Sequence, residues 1–425
     1  MKRIGTLIAL VLAVLATIWT TRALLSRSLP DLQPWHRPVL ESEYRARDYP
    51  NGITFSEYRQ LESKLAAEIR ARIGDPLDPA HRSITNRYFD GSPAHPGAWP
   101  SDWNLSYERV PTDPRGGIVL LHGASDSPYS MRALAEAFVE AGLYVIAARM
   151  PGNGTIPGEL TTVRPEDWTT VPPMAVAHAR QQIGDGKPVY LGGYSAGASV
   201  ALNYALDAFE DEQLQQVDGI FMFSPAAGLT GFAAFARWDY WVSKLPGFEK
   251  FAWVSVRPEY EPFKYTSFAK QAGHLVYVIA SGNQSRLDSL KSTDRWRDFP
   301  PVITFQSVVD GTVSVPAVLD LHQALPSGRS QLVLFDVNRN SIYSPFLRND
   351  GSDVLRRMAE EDWSGVDVTI VRNQKADDRS VVANRRCSDS AGCPALTPLE
   401  SQWPRNVFSL SHVAIPFPPD DPLYG

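Results

Sequence analysis

The stretch that decides the fold is VYLGGYSAGAS at residues 189–199. Its apolar first half is typical of a buried strand, and the alanine-rich residues after it favour a helix. Ser195 then lies in the sharp turn between the two, in the sequence GYSAG at 193–197. Glycines on both sides remove side chains that would clash in so tight a bend. The pattern predicts a nucleophilic serine at the start of a helix, whose positive end favours nearby negative charge.

Further apolar runs alternate with helical patterns on both sides of this turn. The predicted buried strands are 117–122, 143–147, 189–193, 219–223, 302–306 and 332–335. The predicted helices among them are 130–141, 174–183, 198–209 and 316–325. Continuous apolar strands joined by helices indicate an α/β fold, a doubly wound and mostly parallel sheet covered on both faces.

Changes in composition divide the chain into five predicted parts. They are a signal anchor or signal peptide at 1–27, a tether with an amphipathic helix at 28–105, the first part of the core at 106–228, a cap insertion at 229–298, and the second part of the core at 299–425 with a long insertion at 339–405. Apolar residues at helical spacing between 54 and 73 favour a helix packed on the core.

The N-terminus carries no charge from residue 4 to 21 and has basic residues on both sides. We interpret it as a hydrophobic helix that anchors the chain in a membrane, with the catalytic part on the non-cytoplasmic side. The alternative is a cleaved signal peptide and a secreted or periplasmic protein. Cys387 and Cys393, six residues apart, suit a disulfide-closed loop in an oxidising compartment. The net charge of −6 indicates no nucleic-acid partner.

The predicted cap is unusually aromatic. Twelve residues between 232 and 268 are Phe, Trp or Tyr, about three times the 11% of the whole chain. They include Phe232, Phe235, Trp238, Trp241, Phe251, Trp253 and Phe263. Two compatible interpretations stay open: core packing of an inserted helical subdomain, and a lid whose aromatic rings line an apolar pocket.

A serine hydroxyl needs a base within hydrogen-bond reach and a carboxylate that orients the base. Asp310 follows the strand at 302–306 and is the predicted acid, with Asp336 after the next strand as runner-up. His412 lies beyond the last core strand and is the predicted base. His322 also follows Asp310, but its apolar helical neighbours are more typical of a core or helix-surface histidine.

Two backbone N–H groups must converge on the oxyanion that forms during attack. One is predicted to come from Ala196, directly after the serine. The other is predicted from Ala124, in the loop LHGASDS at 121–127 after an early strand. We expect His122 to support this loop by hydrogen bonding, because it precedes the serine in the chain.

These motifs together resemble the α/β-hydrolase superfamily, particularly carboxylesterases and lipases of the monoacylglycerol-lipase and serine-aminopeptidase-like type. The matching segments are LLHG at 120–123, DSPYS at 126–130, RMPGNGT at 149–155, DW at 167–168, GYSAG at 193–197, VDGTV at 309–313 and SH at 411–412. The resemblance covers roughly 117–338 and the tail around His412, and it implies Ser195 as nucleophile, Asp310 as acid and His412 as base. It also implies a cap between the sixth and seventh core strands. Asn153 departs from the histidine of many relatives, and the insertion before His412 is unusually long.

The sequence therefore predicts a serine hydrolase that acts on small carboxylic esters with an apolar part and uses neither metal nor cofactor. A serine-aminopeptidase-like enzyme is the first alternative. It would need an acidic group for the substrate amine, which Glu259 or Glu261 of the cap could supply. A non-catalytic scaffold of the cell envelope that keeps the fold is the second alternative.

Overall fold

A ten-stranded sheet forms the centre of the protein in this computed structural model, which describes residues 2–228, 236–337, 350–375, 378–386, 396–403, 412, 415–418 and 420–424. Its strands are β1 (Tyr107–Arg109), β2 (Gly116–Leu121), β3 (Leu143–Ala148), β4 (Val189–Tyr194), β5 (Gly219–Phe223), β8 (Val302–Ser307), β9 (Ser330–Asp336), β10 (Asp367–Asn373), β11 (Ser380–Arg386) and β12 (Thr397–Gln402). Their order is β1-β3-β2-β4-β5-β8-β9-β10-β11-β12. A separate antiparallel pair is β6 (Trp253–Ser255) with β7 (Phe268–Ala269).

Helices cover the sheet and precede it. They are α1 (Lys2–Arg27), α2 (Phe55–Ile69), α3 (Arg132–Glu140), α4 (Pro165–Thr169), α5 (Val171–Ile183), α6 (Ala196–Glu210), α7 (Ala236–Ser243), α8 (Lys270–Leu290), α9 (Val315–Ala324) and α10 (Ser352–Glu360). The strands from β3 to β10 in the sheet order are all parallel. The predicted mostly parallel α/β sheet is therefore confirmed, with antiparallel β1 at one edge and antiparallel β11 and β12 at the other.

The buried centre of the sheet explains why its strands were recognisable. All six residues of β2 are buried, and β4 is buried except for half-buried Tyr190. Strands covered on both faces by helices read as continuous apolar runs. β10 lies within the predicted insertion at 339–405 and pairs with β9, so that this part of the insertion extends the sheet.

The prediction of a transmembrane signal anchor at the N-terminus is wrong. Among the described residues, no helix combines the length and apolarity that a membrane crossing requires. The apolar run of α1 stops at Trp19 and continues with two threonines and Arg22. Arg22 forms an ion pair with buried Asp239 of α7 at 2.5 Å, and Trp19 packs against Phe251 at 5.8 Å between ring centroids. The location of the catalytic part on the non-cytoplasmic side stays a prediction.

The aromatic segment lies between β5 and β8, where α7, β6, β7 and α8 follow one another. Phe251, Trp253 and Phe263 are buried in the interior, whereas Trp241 is 63% exposed. The described rings thus serve mainly in packing, and an apolar pocket lined by them stays a prediction. Phe232, Phe235 and the side chain of Trp238 lie outside the described part of the chain, as do Cys387 and Cys393.

The segment before β1 is fastened to the core by a buried cluster of charges. Arg149, in the loop after β3, is fully buried and forms two hydrogen bonds to Glu43, at 3.0 and 3.1 Å. Its Nε donates to Glu62 of α2 at 2.9 Å. A buried arginine needs such partners, because an unpaired charge in the interior is strongly unfavourable. As predicted, α2 packs on the core, and its Tyr58 donates to the Arg149 carbonyl.

We expect Arg149→Met to lower the free energy of unfolding by about 3–5 kcal/mol, because it leaves two buried carboxylates without their cation. Urea unfolding followed by circular dichroism measures the loss. The matched control is Arg356→Met on α10, where the arginine side chain is 58% exposed and pairs with Asp353 and Glu360. That change should cost no more than about 1 kcal/mol. Equal losses in the two variants would contradict a special role of the buried cluster.

Candidate active site

Ser195 lies in the bend between β4 and α6, as predicted, and its backbone is strained. Its φ of 53° and ψ of −115° place it outside the regions that non-glycine residues usually occupy. The bend is held from both sides, since Ser195 N donates to the Phe223 carbonyl and the Ser195 carbonyl accepts from Ala226 N. Such a bend raises a serine side chain above the carboxyl end of the sheet.

The two glycines of the GYSAG sequence are required by close packing. A Cβ on Gly197 would meet the carbonyl groups of Leu121 and His122, well inside the 3.0 Å that real Cβ atoms keep. A Cβ on Gly193 would meet the backbone of Gly197 and Ala198 equally closely. The end of β2 and the start of α6 therefore touch through bare backbone.

The structure brings His412 and Asp310 together. His412 Nδ1 and Asp310 Oδ2 are 2.8 Å apart, and both side chains are nearly fully buried. The two residues are separated by 102 positions in the chain. The hydrogen bond leaves His412 Nε2 as the ring nitrogen that can accept a proton.

Asp310 is held at both carboxylate oxygens. Oδ1 accepts the backbone N–H groups of Thr312 and Val313 at 2.8 and 3.1 Å. Oδ2 accepts from His412 and also from Nε2 of Gln306 at 3.0 Å. Burial raises the pKa of Asp310, but the hydrogen bond and charge of His412 and the backbone donors outweigh burial and lower that pKa below its usual value. The acid therefore stays ionised at neutral pH.

The structure contains no hydrogen bond between His412 and Ser195 within the described residues. The imidazole instead packs against the ring of Tyr194, the residue before the serine, with 5.0 Å between ring centroids. Tyr194 OH also donates to the His412 carbonyl at 3.4 Å. His412, the predicted base, thus lies next to the bend, and catalytic hydrogen bonds are often long until substrate is bound.

The two predicted oxyanion donors are available. Within the described part of the chain, neither Ala124 N nor Ala196 N donates a hydrogen bond. Ala196 is the first residue of α6, where backbone N–H groups have no partner inside the helix. Their availability at this end of the sheet is what an oxyanion hole requires.

His122 supports the loop that carries Ala124, as expected. Its Nε2 accepts the Met150 N–H at 2.9 Å, so that Nδ1 carries the proton and donates to the Gly123 carbonyl at 2.8 Å. Burial lowers the pKa of His122 to about 4. The ring is therefore neutral near pH 7 and joins the end of β2 to the loop after β3.

The alternative candidates for the base and the acid do not take part in the pair of His412 and Asp310. His322 is a core histidine whose Nδ1 contacts Ser330 of β9. Asp336 is the last residue of β9, and His412 pairs with Asp310 instead. The buried carboxylate of Glu259 accepts the N–H groups of Thr266 and Ser267. Glu261, the other acid considered for a substrate amine, accepts the hydroxyl of Tyr424.

Sequence reasoning missed Gln306 and the attachment of the tail. Tyr129 donates to Asp421 at 3.0 Å, and Arg132 pairs with the same carboxylate at 3.1 Å. These contacts fasten the chain after His412 beside the oxyanion loop. The sequence offered one signal for Gln306, a polar side chain at the end of an apolar strand four residues before the acid.

The fold and this site define the class of the protein. A family model for the alpha/beta hydrolase family matches residues 118–381, more than half of the chain, and the chain belongs to that family. Among characterised proteins it is similar to a thermostable monoacylglycerol lipase of Bacillus sp. (strain H-257), with 28% identity over 118 residues. The match covers 28% of this chain and 44% of that lipase, so the chain spans less than half of its relative.

Two solved structures are also similar. One belongs to the metagenome-derived lipolytic enzymes LipS and LipT, with 21% identity, a TM-score of 0.44, and coverage of 60% of this chain and 96% of that one. The other is a monoacylglycerol lipase of Paleococcus ferrophilus, with 18% identity, a TM-score of 0.40, and coverage of 54% and 88%.

We expect Gly197→Ala to prevent the native bend at Ser195, because the added Cβ cannot fit beside the Leu121 carbonyl. Thermal unfolding should show a loss of several kcal/mol, of the size seen for severe steric conflicts. Gly282→Ala in the middle of α8 is the matched control, since a Cβ there meets nothing within 4 Å. That change should be neutral or stabilise by up to about 1 kcal/mol. Native stability of Gly197→Ala would refute the close-packing argument.

His122 should make the fold sensitive to acid. Its pKa is about 4 in the folded chain and about 6.5 when unfolded, so the unfolded chain binds more protons between these values. Stability therefore falls as the pH drops from 6.5 towards 4. We expect His122→Gln to reduce that slope by up to about 1.4 kcal/mol per pH unit, measured by urea unfolding at several pH values. If His122→Gln left the pH dependence of the free energy of unfolding unchanged, the prediction would be wrong, because the pKa of His122 would then be the same in the folded and unfolded chains.

Proposed function

We propose that the protein is a serine hydrolase that cleaves carboxylic esters. Ser195 is the nucleophile, His412 the general base and Asp310 the acid that orients it. The observation that carries the proposal is the 2.8 Å hydrogen bond between His412 and Asp310 beside a strained serine. Membership of the alpha/beta hydrolase family and similarity to a lipase support an ester as substrate.

In the proposed reaction, Ser195 Oγ attacks the acyl carbonyl while His412 Nε2 takes its proton. Asp310 holds the proton on Nδ1 and stabilises the imidazolium that forms. The N–H groups of Ala124 and Ala196 stabilise the oxyanion of the tetrahedral intermediate. His412 then donates its proton to the leaving alcohol, and water hydrolyses the acyl-enzyme by the same steps in reverse order.

An ester is a better candidate than a peptide for two reasons. The two acidic residues considered for a substrate amine are engaged, Glu259 with backbone N–H groups and Glu261 with Tyr424. The cap is rich in aromatic residues, which suit an apolar acyl or alcohol group. We therefore propose small esters with an apolar part, of the kind that esterases and lipases cleave.

We expect Ser195→Ala to lower the hydrolysis of p-nitrophenyl esters by at least about 10⁴-fold, because the variant has no nucleophile. The rate is measured on purified protein with acyl chains of increasing length. The matched control is Ser289→Ala, at an exposed serine of α8 that donates only to the carbonyl one turn before it. The control should keep the rate of the unchanged protein.

Each alternative gives a different result in the same experiments. Ester turnover that survives Ser195→Ala would contradict both the esterase and the peptidase. Preference for aminoacyl amides over esters would indicate the peptidase. A folded protein that hydrolyses neither substrate and takes up no fluorophosphonate probe at Ser195 would indicate the non-catalytic scaffold.

A further inference from the structure

Gln306 lies at the carboxyl end of β8, directly beneath the proposed catalytic acid. Its side chain is fully buried. Its Nε2 donates to Asp310 Oδ2 at 3.0 Å and to the Ser307 carbonyl at 3.1 Å. The residue beside it in the sheet is buried Leu334 of β9. The amide is thus shielded from water, where a hydrogen bond to a carboxylate is strong.

The contacts of Gln306 decide which way its amide points. Both neighbours of Nε2, the Asp310 carboxylate and the Ser307 carbonyl, can only accept hydrogen bonds. If the amide were turned over, its oxygen would face two other oxygens. The NH₂ group therefore points at Asp310.

The carbonyl end of Gln306 does not explain why a polar side chain lies here. Its carbonyl oxygen Oε1 is buried and has no hydrogen-bond partner in the described part of the chain. A buried carbonyl without a partner is unfavourable, and an apolar side chain of similar size would avoid the loss. A polar residue kept at such a position needs another reason, and its other end contacts the acid.

We propose that Gln306 is a positioning residue that holds Asp310 Oδ2 in the orientation in which it receives the His412 Nδ1 proton. This inference rests on the function proposed above. Thr312 and Val313 fix Oδ1 through their backbone N–H groups, and Gln306 supplies the matching constraint at Oδ2. The same oxygen then serves the glutamine amide and the imidazole.

Sharing Oδ2 also sets how strongly the acid attracts a proton on His412. A donor at Oδ2 disperses part of the negative charge that stabilises the imidazolium. Among the residues that the structure describes, Asp310 and Tyr194 are the titratable groups in contact with the imidazole. Burial, together with the charges of Asp126 and Asp310, keeps the pKa of Tyr194 well above its usual value, so it stays neutral. Loss of the Gln306 donor should therefore change the hydrogen bond that Asp310 Oδ2 makes with His412 Nδ1.

The test replaces Gln306 by methionine, which has a similar volume and no donor. We expect kcat for a p-nitrophenyl ester to fall about tenfold with KM within about twofold, because Asp310 is less well oriented when the proton moves. The matched control is Gln323→Met on α9, an exposed glutamine that donates to Glu361. It should leave kcat and KM unchanged.

A second measurement keeps the inference independent of activity. Nuclear magnetic resonance of ¹⁵N-histidine-labelled protein follows the Nδ1 proton of His412, which lies in the hydrogen bond to Asp310 and is assigned by its loss in His412→Gln. A changed resonance of this proton in Gln306→Met supports the inference, and an unchanged resonance overturns it. Absence of ester hydrolysis in the unchanged protein would reject the proposed function, while this resonance still decides the role of Gln306. If the methionine variant does not fold, Gln306→Asn, whose amide is too short to reach Asp310, must give the same change.

Discussion

The contact of bare backbone around Ser195 is the constraint on which the site depends. Gly197 at the start of α6 lies against the carbonyl of Leu121 at the end of β2, and Ser195 N bonds the Phe223 carbonyl at the end of β5. The carboxyl ends of the three neighbouring strands β2, β4 and β5 are thereby fixed next to one another. Because the loop after β2 carries Ala124, the same contact sets Ser195 and the proposed oxyanion donors Ala124 and Ala196 relative to one another. The strain at Ser195 is maintained because close backbone packing at Gly193 and Gly197 excludes a relaxed bend.

Two charged groups in the interior, Arg149 and Asp310, are stabilised in the same way. Arg149 is buried among Glu43, Glu62 and a backbone carbonyl, and the cluster ties α2 and the preceding segment to the loop after β3. Asp310 is buried among two backbone donors, Gln306 and His412. In both cases a charge enters the interior only with directed partners around it. The first arrangement serves attachment, and the second leaves one imidazole nitrogen available for proton transfer.

Local patterns predicted the core of this protein well. The parallel strands were recognisable because helices cover both faces, and GYSAG carries its own steric requirement. The pairing of Asp310 with His412 could be predicted because functional side chains gather at the carboxyl ends of parallel strands. Gln306, the Arg149 cluster and the Asp421 contacts could not, because they depend on side chains that are distant in sequence or ordinary in type. The prediction of a membrane anchor was wrong because it rested on a short uncharged run, and Arg22, directly after that run, pairs with Asp239.

The order of the chain has a consequence for how the protein acquires its chemistry. Asp310 follows β8, and four strands of the sheet, β9 to β12, lie between it and His412 in the chain. Contacts across such long separations form late in folding, because closing a long loop carries an entropic penalty. In the part of the chain that the structure describes, the bend with Ser195 is held by β2, β4 and β5, so that it can form first. A partly folded molecule would then hold the strained bend before His412 reaches Asp310.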